Sequence, residues 1–336
     1  MLDLHGSPVK CDGRRRSARA ESDPGAQTPG TPASPALTAL RGTLKIFAWR
    51  NLFRYTQKPT RTPLPVKIGS QAHRSSAIST SNETTILVRG RDLTQELIGR
   101  VNFTEHFWLL LTGDLPSPEQ RTVLDATLVA IAEHGMVPSV QASRLTLAAS
   151  PEALQGAVAA GILGCGSVVL GSSEAAGQFF AQIAERAGND VQAIDTAASA
   201  LIKEYVAARR AIPGYGHPLH KDYDPRALRL FDIAAEAFGA PGIHVQIARA
   251  VARLLPGIIG KPLSINVSGA IPAVLLDAGY PLRALKGVPL LARTAGLIAH
   301  LLEEQLRPIG FVISHAAAAA ISYDGERPEG FQETHD

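Results

Sequence analysis

From about residue 117 onward, apolar positions recur every three or four residues, the spacing of one face of an α-helix. Ser117-Pro118-Glu119-Gln120 opens the first such segment. It supplies a capping hydroxyl, proline at the first helical position and a glutamine able to reach back to the capping residue. Leu124, Leu128 and Ile131 follow on one face, and Gly135 can close the helix. Ser150-Pro151-Glu152 predicts a second start, with Leu154, Val158 and Ile162 inward. A third helix carries Ala198, Leu201, Ile202, Tyr205 and Val206. A fourth starts at Asp224-Pro225 and ends near Gly239. A fifth spans residues 288–306, with Leu290, Leu297, Ile298, Leu301 and Leu302 inward. The strand-like signal is confined to residues 84–89, TTILVR. No period-2 array and no internal repeat is present, so the expected fold class is all-α.

Composition agrees with a packed core. Of 336 residues, 45% are hydrophobic and 19% charged, which excludes a disordered or collagen-like chain. The length suggests about two domains. The net charge of +3 hides an asymmetry: residues 1–76 hold 13 basic and 4 acidic residues, and the remainder is mildly acidic. The body therefore lacks the basic face of a nucleic-acid binder. Residues 21–37 are rich in proline, glycine, serine and threonine. Residues 40–55, LRGTLKIFAWRNLFRY, are both basic and apolar, the pattern of an interfacial or targeting segment. Asp3, Asp12, Glu21 and Asp23, and the lack of a clean apolar run, weigh against a leader. The expectation for 1–76 is a disordered basic tail.

The stretch between Glu152 and Glu174 has no charge and is long enough to span a bilayer. Its glycines and serines, and its lack of aromatic or basic flanks, favour a core helix ending in a glycine-rich loop. Cys165 within it reads as a small buried hydrophobe. Two cysteines, Cys11 and Cys165, exclude a disulfide framework. No HExxH, P-loop or CxxC pattern occurs, so neither a metal nor ATP is implied.

The densest chemistry lies in residues 212–226, IPGYGHPLHKDYDPR. Gly214 and Gly216 allow a tight turn and close approach of a ligand. His217 follows, then His220, Lys221 and the Asp224-Pro225 helix start. A histidine in such a loop suits acid–base work near neutral pH. Arg226 falls in a first helical turn, where the dipole disfavours a cation. It must answer an anion: Asp222, Asp224 or a ligand. His106, Trp108 and His300 sit on apolar helices and read as packing or structural groups, and Asp277 as a solvated helix-end charge.

This segment resembles the active-site loop of the citrate synthase superfamily. That loop is a proline-glycine-tyrosine-glycine-histidine turn, here Pro213 to His217, followed nine residues later by the arginine of an aspartate-proline-arginine triplet, here Asp224-Pro225-Arg226. Residues 84–118, 264–281 and 292–308 are similar to the family's early segment, its Asn-Val-Asp segment and its late helix. The likeness covers about residues 80–315 and is closest to the stand-alone citryl-CoA lyase branch. It implies an all-α homodimer with an active site in the cleft between two domains. The large domain would be 77–171 plus 269–336, and the small domain 172–268.

Residue by residue, the resemblance implies that His217 meets the hydroxyl or carbonyl oxygen of a citrate-type substrate. Arg226 and Arg293 would hold carboxylates, and Arg307 would do so across the dimer interface. Lys221 would stand near CoA phosphate, and Gly214 and Gly216 would run beside the CoA arm. Two positions depart from the pattern. Leu170 stands where synthases carry the histidine that polarises the thioester carbonyl. Ser268, in Asn266-Val267-Ser268-Gly269, replaces the aspartate that moves a proton on the acetyl carbon. A serine hydroxyl without an activating base is no carboxylate. The expected activity is cleavage of citryl-CoA, or a related 3-hydroxyacyl-CoA, to acetyl-CoA and oxaloacetate. The alternatives are synthase-type condensation and a non-catalytic CoA- and carboxylate-binding paralogue. No permanently bound cofactor, no nucleic acid and no membrane are expected, the CoA thioester being substrate, and the location is expected to be cytoplasmic.

Overall fold

The computed structural model describes residues 75–166, 171–188, 190–216 and 223–332. The expected tail, apart from its last two residues, lies outside them. Three short strands, β1 (Ser79–Ser81), β2 (Ile86–Val88) and β3 (Arg91–Asp92), form an antiparallel sheet in that order, with Leu87 opposite Thr80 on one side and Asp92 on the other. Only β2 shows in the sequence; its partners are short and polar.

Helices follow. They are α1 (Phe103–Thr112), α2 (Pro118–Ala132), α3 (Pro138–Ala149), α4 (Leu154–Leu163), α5 (Gly171–Arg186) and α6 (Ile194–Ala207). Then come α7 (Pro225–Phe238), α8 (Ile243–Ile259), α9 (Val267–Asp277), α10 (Gly287–Leu306) and α11 (Gly310–Ala320). The fold is all-α apart from the small sheet. The predicted start of α2 is a complete capping box: the Ser117 hydroxyl accepts the Gln120 amide at 3.2 Å and the Gln120 side chain accepts the Ser117 amide at 2.8 Å. The Asp224 cap and the left-handed Gly239 bound α7 as predicted.

Three expectations are corrected. Ser150 does not start a helix; its amide donates to the Thr146 and Leu147 carbonyls and so closes α3, and its hydroxyl donates to Glu152 at 2.7 Å. The next helix starts at Leu154, and its buried positions are Ala157 and Gly161, where a methyl group would collide with Leu297. On α10, Ile298 and Leu302 face outward, 49% and 58% exposed. At ~3.6 residues per turn they lie about 100° round from Leu297 and Leu301, which are buried. Asp277 is not a solvated charge. Its side chain is 5% exposed and accepts the His244 and Val245 amides at 2.8 and 3.0 Å.

A continuous core joins Leu124 of α2, Phe180 of α5, Leu201 of α6, Phe231 of α7, Ile247 of α8 and Ile271 of α9. Helix α9 is apolar all round and packs against α2, α5, α7 and α8, the pattern of a central buried helix. Each fully buried large side chain of this kind contributes roughly 1.5–3 kcal/mol. Trp108 meets Tyr280 edge to face at 5.5 Å, and Cys165 is buried with its thiol toward the Gly161 carbonyl. The segment Leu282–Leu306 is apolar and long enough to cross a membrane by length and composition. It nevertheless packs against α2, α3 and α4, and it buries Arg293 and Glu304.

Candidate active site

Two loops far apart in sequence are knit together at the start of α9. Gly216 donates its amide to the Ser264 carbonyl at 2.8 Å, and Asn266 donates to the Gly214 carbonyl at 3.0 Å, so Tyr215 and Ile265 pair as an antiparallel bridge. The Asn266 side chain adds a bond to the Gly216 carbonyl at 2.6 Å and caps the Gly269 amide at 3.3 Å. Gly214 has φ +84°, and a Cβ there would stand 2.6 Å from the Gly269 Cα. The nearest backbone to Gly214 is therefore another glycine, a contact that only two residues without side chains allow. Tyr215 turns inward, donates to the Ala248 carbonyl at 2.7 Å and packs edge-on to Phe180. Burial pushes its phenol well above the usual range, which keeps it a neutral anchor.

Asp224 joins this frame to α7. Its carboxylate is 1% exposed. It accepts the Arg226 amide at 3.0 Å, Arg226 Nε at 3.0 Å, Arg226 Nη2 at 2.9 Å and the Val267 amide at 2.9 Å. Burial pushes the Asp224 carboxyl up, but the Arg226 guanidinium and the two amides outweigh it, and it sits below the usual carboxylate range. The anion that answers Arg226 is thus Asp224. Nη1 of Arg226 reaches His134 Nδ1 at 3.3 Å. Because a guanidinium only donates, His134 Nδ1 accepts and its other nitrogen carries the proton.

Ser268, the next residue after Val267, lies half-buried in the first turn of α9. Arg293 on α10 is 2% exposed, and its Nε and Nη1 find no hydrogen-bond partner among the described residues. Leaving such donors unsatisfied costs free energy that an anion would recover. One turn further along, Gly296 packs against the Ala132 carbonyl and Glu133 at the end of α2, immediately before His134. Arg226 and His134 are therefore brought together, Asp224 ties the first turn of α9, which carries Ser268, to Arg226, and Arg293 lies one turn before the Gly296 contact on α10. Arg307 is different: its side chain is 78% exposed and pairs with Glu303. Fourteen residues of helix put it about 21 Å along α10 from Arg293. His217 and Lys221 lie outside the described residues, as do Leu170 and Asp222.

The sequence reading passed over His134. Its signal was its place at the C-terminal end of a helix, where the dipole favours a histidine. His300 is structural, as expected. Its Nδ1 accepts from Arg144 at 3.1 Å and its Nε2 donates to Glu133 at 2.9 Å. Arg144 in turn pairs with Glu303 and, at 2.9 Å, with Glu304. Among the described residues no group of three potential metal ligands occurs.

Comparison with known proteins gives a consistent picture. A model described as citrate synthase, C-terminal domain, matches residues 117–309. A candidate citrate synthase 2 of Mycobacterium bovis is 30% identical over 219 residues, 62% of this chain and 56% of that one. The citrate/2-methylcitrate synthase of Bacillus subtilis is 26% identical over 207 residues, 61% and 53% of the two chains. The chain thus spans about half the length of these relatives. The structure of citryl-CoA lyase from Hydrogenobacter thermophilus is similar at a TM-score of 0.66 and 31% identity, over 77% of this chain and 97% of that one. ATP citrate lyase from Methanothrix soehngenii, in complex with citrate and coenzyme A, shares the fold at a TM-score of 0.60 and 20% identity.

Proposed function

The chain belongs to the citrate synthase family, and we propose that it is a citryl-CoA lyase-like enzyme, cleaving citryl-CoA or a related 3-hydroxyacyl-CoA to acetyl-CoA and oxaloacetate. The observation that carries this is the extent of the likeness: it takes in 97% of the Hydrogenobacter lyase but about half of the matched synthases.

The site residues fit that chemistry. In the cleavage direction His217 takes the proton of the substrate hydroxyl. The bond between the hydroxyl-bearing carbon and the acetyl carbon breaks, and its electron pair passes into the thioester enolate. The enolate carbon then needs a proton. Ser268, or a water it holds, is the group at the family's aspartate position. Arg226 and the unsatisfied Arg293 hold carboxylates, which suit planar guanidinium forks. His134, whose Nδ1 meets Arg226 Nη1, stands beside the same anchor. The backbone at Gly214–Gly216 and the Lys221 ammonium accept the CoA arm. The large and small domains, 77–171 with 269–336 and 172–268, form the walls of the cleft.

The active unit in this reading is a homodimer in the cytoplasm. Ile298, Leu302 and Leu306 make an exposed apolar stripe along α10, continued by Phe311 and Val312 on α11. A second copy covering that stripe would bring its Arg307 to a site that one chain cannot complete alone. Light scattering behind gel filtration tests the dimer.

Ser268 favours a second reading, a paralogue that binds CoA and a carboxylate without turning them over. Release of oxaloacetate from citryl-CoA, and of CoA from acetyl-CoA plus oxaloacetate, separates the two. Oxaloacetate release that disappears in His217→Ala establishes the lyase. CoA release from the second mixture alone makes the protein a synthase. Silence in both, with CoA still bound, leaves the binding protein.

A further inference from the structure

We propose that Asp224 is a positioning residue, whose carboxylate fills the side edge of the Arg226 guanidinium so that only the end edge faces a substrate carboxylate. This rests on the reading of Arg226 as a carboxylate anchor. A guanidinium offers two forks, one made by Nε and Nη2 and the other by Nη1 and Nη2. The first is occupied, Nε on Oδ1 at 3.0 Å and Nη2 on Oδ2 at 2.9 Å. Among the described residues what remains is the end fork, with His134 against its Nη1.

Helix capping does not account for this arrangement. A cap uses one bond, here from the Arg226 amide, and asparagine or serine caps about as well as aspartate. A carboxylate at 1% exposure carries a desolvation cost that a cap does not require. The remaining bonds repay it, and each has a consequence at the site. The two guanidinium bonds stop a long, mobile side chain from swinging into solvent and set which edge it presents. Through Nη1 they also hold the tautomer of His134, because the ring nitrogen facing a guanidinium must accept. The Val267 bond, at 2.9 Å, registers the first turn of α9, and with it Ser268, against the same carboxylate. One buried group thus sets the distance between the carboxylate anchor and the position where the acetyl carbon is handled.

The decisive variant is Asp224→Asn, which keeps size and cap but removes the charge and one acceptor oxygen. In the native protein the Arg226 Nε–H should exchange slowly with solvent in nitrogen-15 spectra, its signal assigned by its loss in Arg226→Gln. In Asp224→Asn it should exchange fast. Citrate affinity, by calorimetry, should fall roughly 10- to 100-fold in Asp224→Asn. It should fall no further in the double variant than in Arg226→Gln alone, because Asp224 acts through Arg226. Additive losses in the double variant would overturn the proposal, as would a fast-exchanging Arg226 Nε–H in the native protein. Asp224→Ser replaces Asp224→Asn if the latter fails to fold. A native protein with the protected Nε–H that binds no citrate upholds the lock and sinks the functional reading instead.

Discussion

The carboxylate of Asp277, the last residue of α9, closes the beginning of α8 through His244: it accepts the His244 backbone amide at 2.8 Å and the ring Nδ1–H at 2.9 Å. Helix α8 has no cap of its own, since Gly242 precedes it and offers no side chain. Asp277→Ala is therefore expected to cost about 1–2 kcal/mol, the upper range for loss of a helix cap. Asp277→Asn should recover most of it. Urea unfolding of the three proteins measures this, and equal stability of Asp277→Ala and the native chain would refute it.

Arg144 and Glu304 form a buried pair, each side chain 1–2% exposed, and Glu304 also accepts the Ile309 and Gly310 amides that begin α11. Removing one partner strands the other as an uncompensated charge. Arg144→Ala should lose roughly 3–5 kcal/mol. Combining Arg144→Met with Glu304→Gln should lose less than Arg144→Ala, because no orphan charge remains. Thermal melts of single and double variants decide the order.

Gly269→Ala would place a methyl 2.6 Å from the Gly214 carbonyl oxygen, in a contact between two backbones that has no flexible side chain to yield. The expected loss is about 1–3 kcal/mol. Citrate binding should fall with it, because the same contact sets the loop carrying Tyr215. Retained affinity with lowered stability would show the loop to be independent of α9.

Acid should unfold the protein through named groups. Burial raises the Glu133 carboxyl, but the His300 hydrogen bond and neighbouring amides bring it below its usual range, and Asp224 is lowered likewise. A carboxylate lowered in the folded state contributes stability above its unfolded value near ~4, and that stability is lost as pH falls through the folded value. The urea midpoint should hold from pH 7 to about 5 and drop below about 4. In Asp224→Asn the drop should be shallower.

Ser268→Asp restores a carboxylate at the start of α9. If the proton donor is what limits cleavage, turnover of citryl-CoA should rise by ~10²–10⁴. Unchanged or lower turnover would mean that the site has been rebuilt around serine.

Much of this architecture was legible in the sequence where a helix carries its own punctuation. Ser117 with Gln120, and Asp224 with Gly239, each bracket a helix within a few residues. What escaped notice depends on partners far away in the chain. Helix α8 takes its cap from Asp277 across 33 residues, and Asp277 therefore looked like a surface charge. Ser150 resembled a helix start because a hydroxyl before proline and glutamate serves equally to end the helix before it. At the site, a glycine-rich loop beside an aspartate-proline-arginine triplet pointed to Arg226 and Asp224. Their joint hold on Val267, and the approach of His134, exist only once α2, α7 and α9 have packed together.

The site's frame is closed by bonds that span long stretches of chain: 50 residues between Asn266 and Gly216, and 43 between Val267 and Asp224. Closing such loops costs roughly 3–4 kcal/mol of chain entropy, which must be met before these bonds return anything. The intervening segment contains α7 and α8, so the frame closes at least entropic cost once both have docked. A partly folded chain then presents no carboxylate site, and ligand at ~100 times its Kd should stabilise only the finished molecule, by about 2.7 kcal/mol. Binding becomes a gauge of complete folding, and a chain released with its last contacts unmade is invisible to the ligand proposed for it.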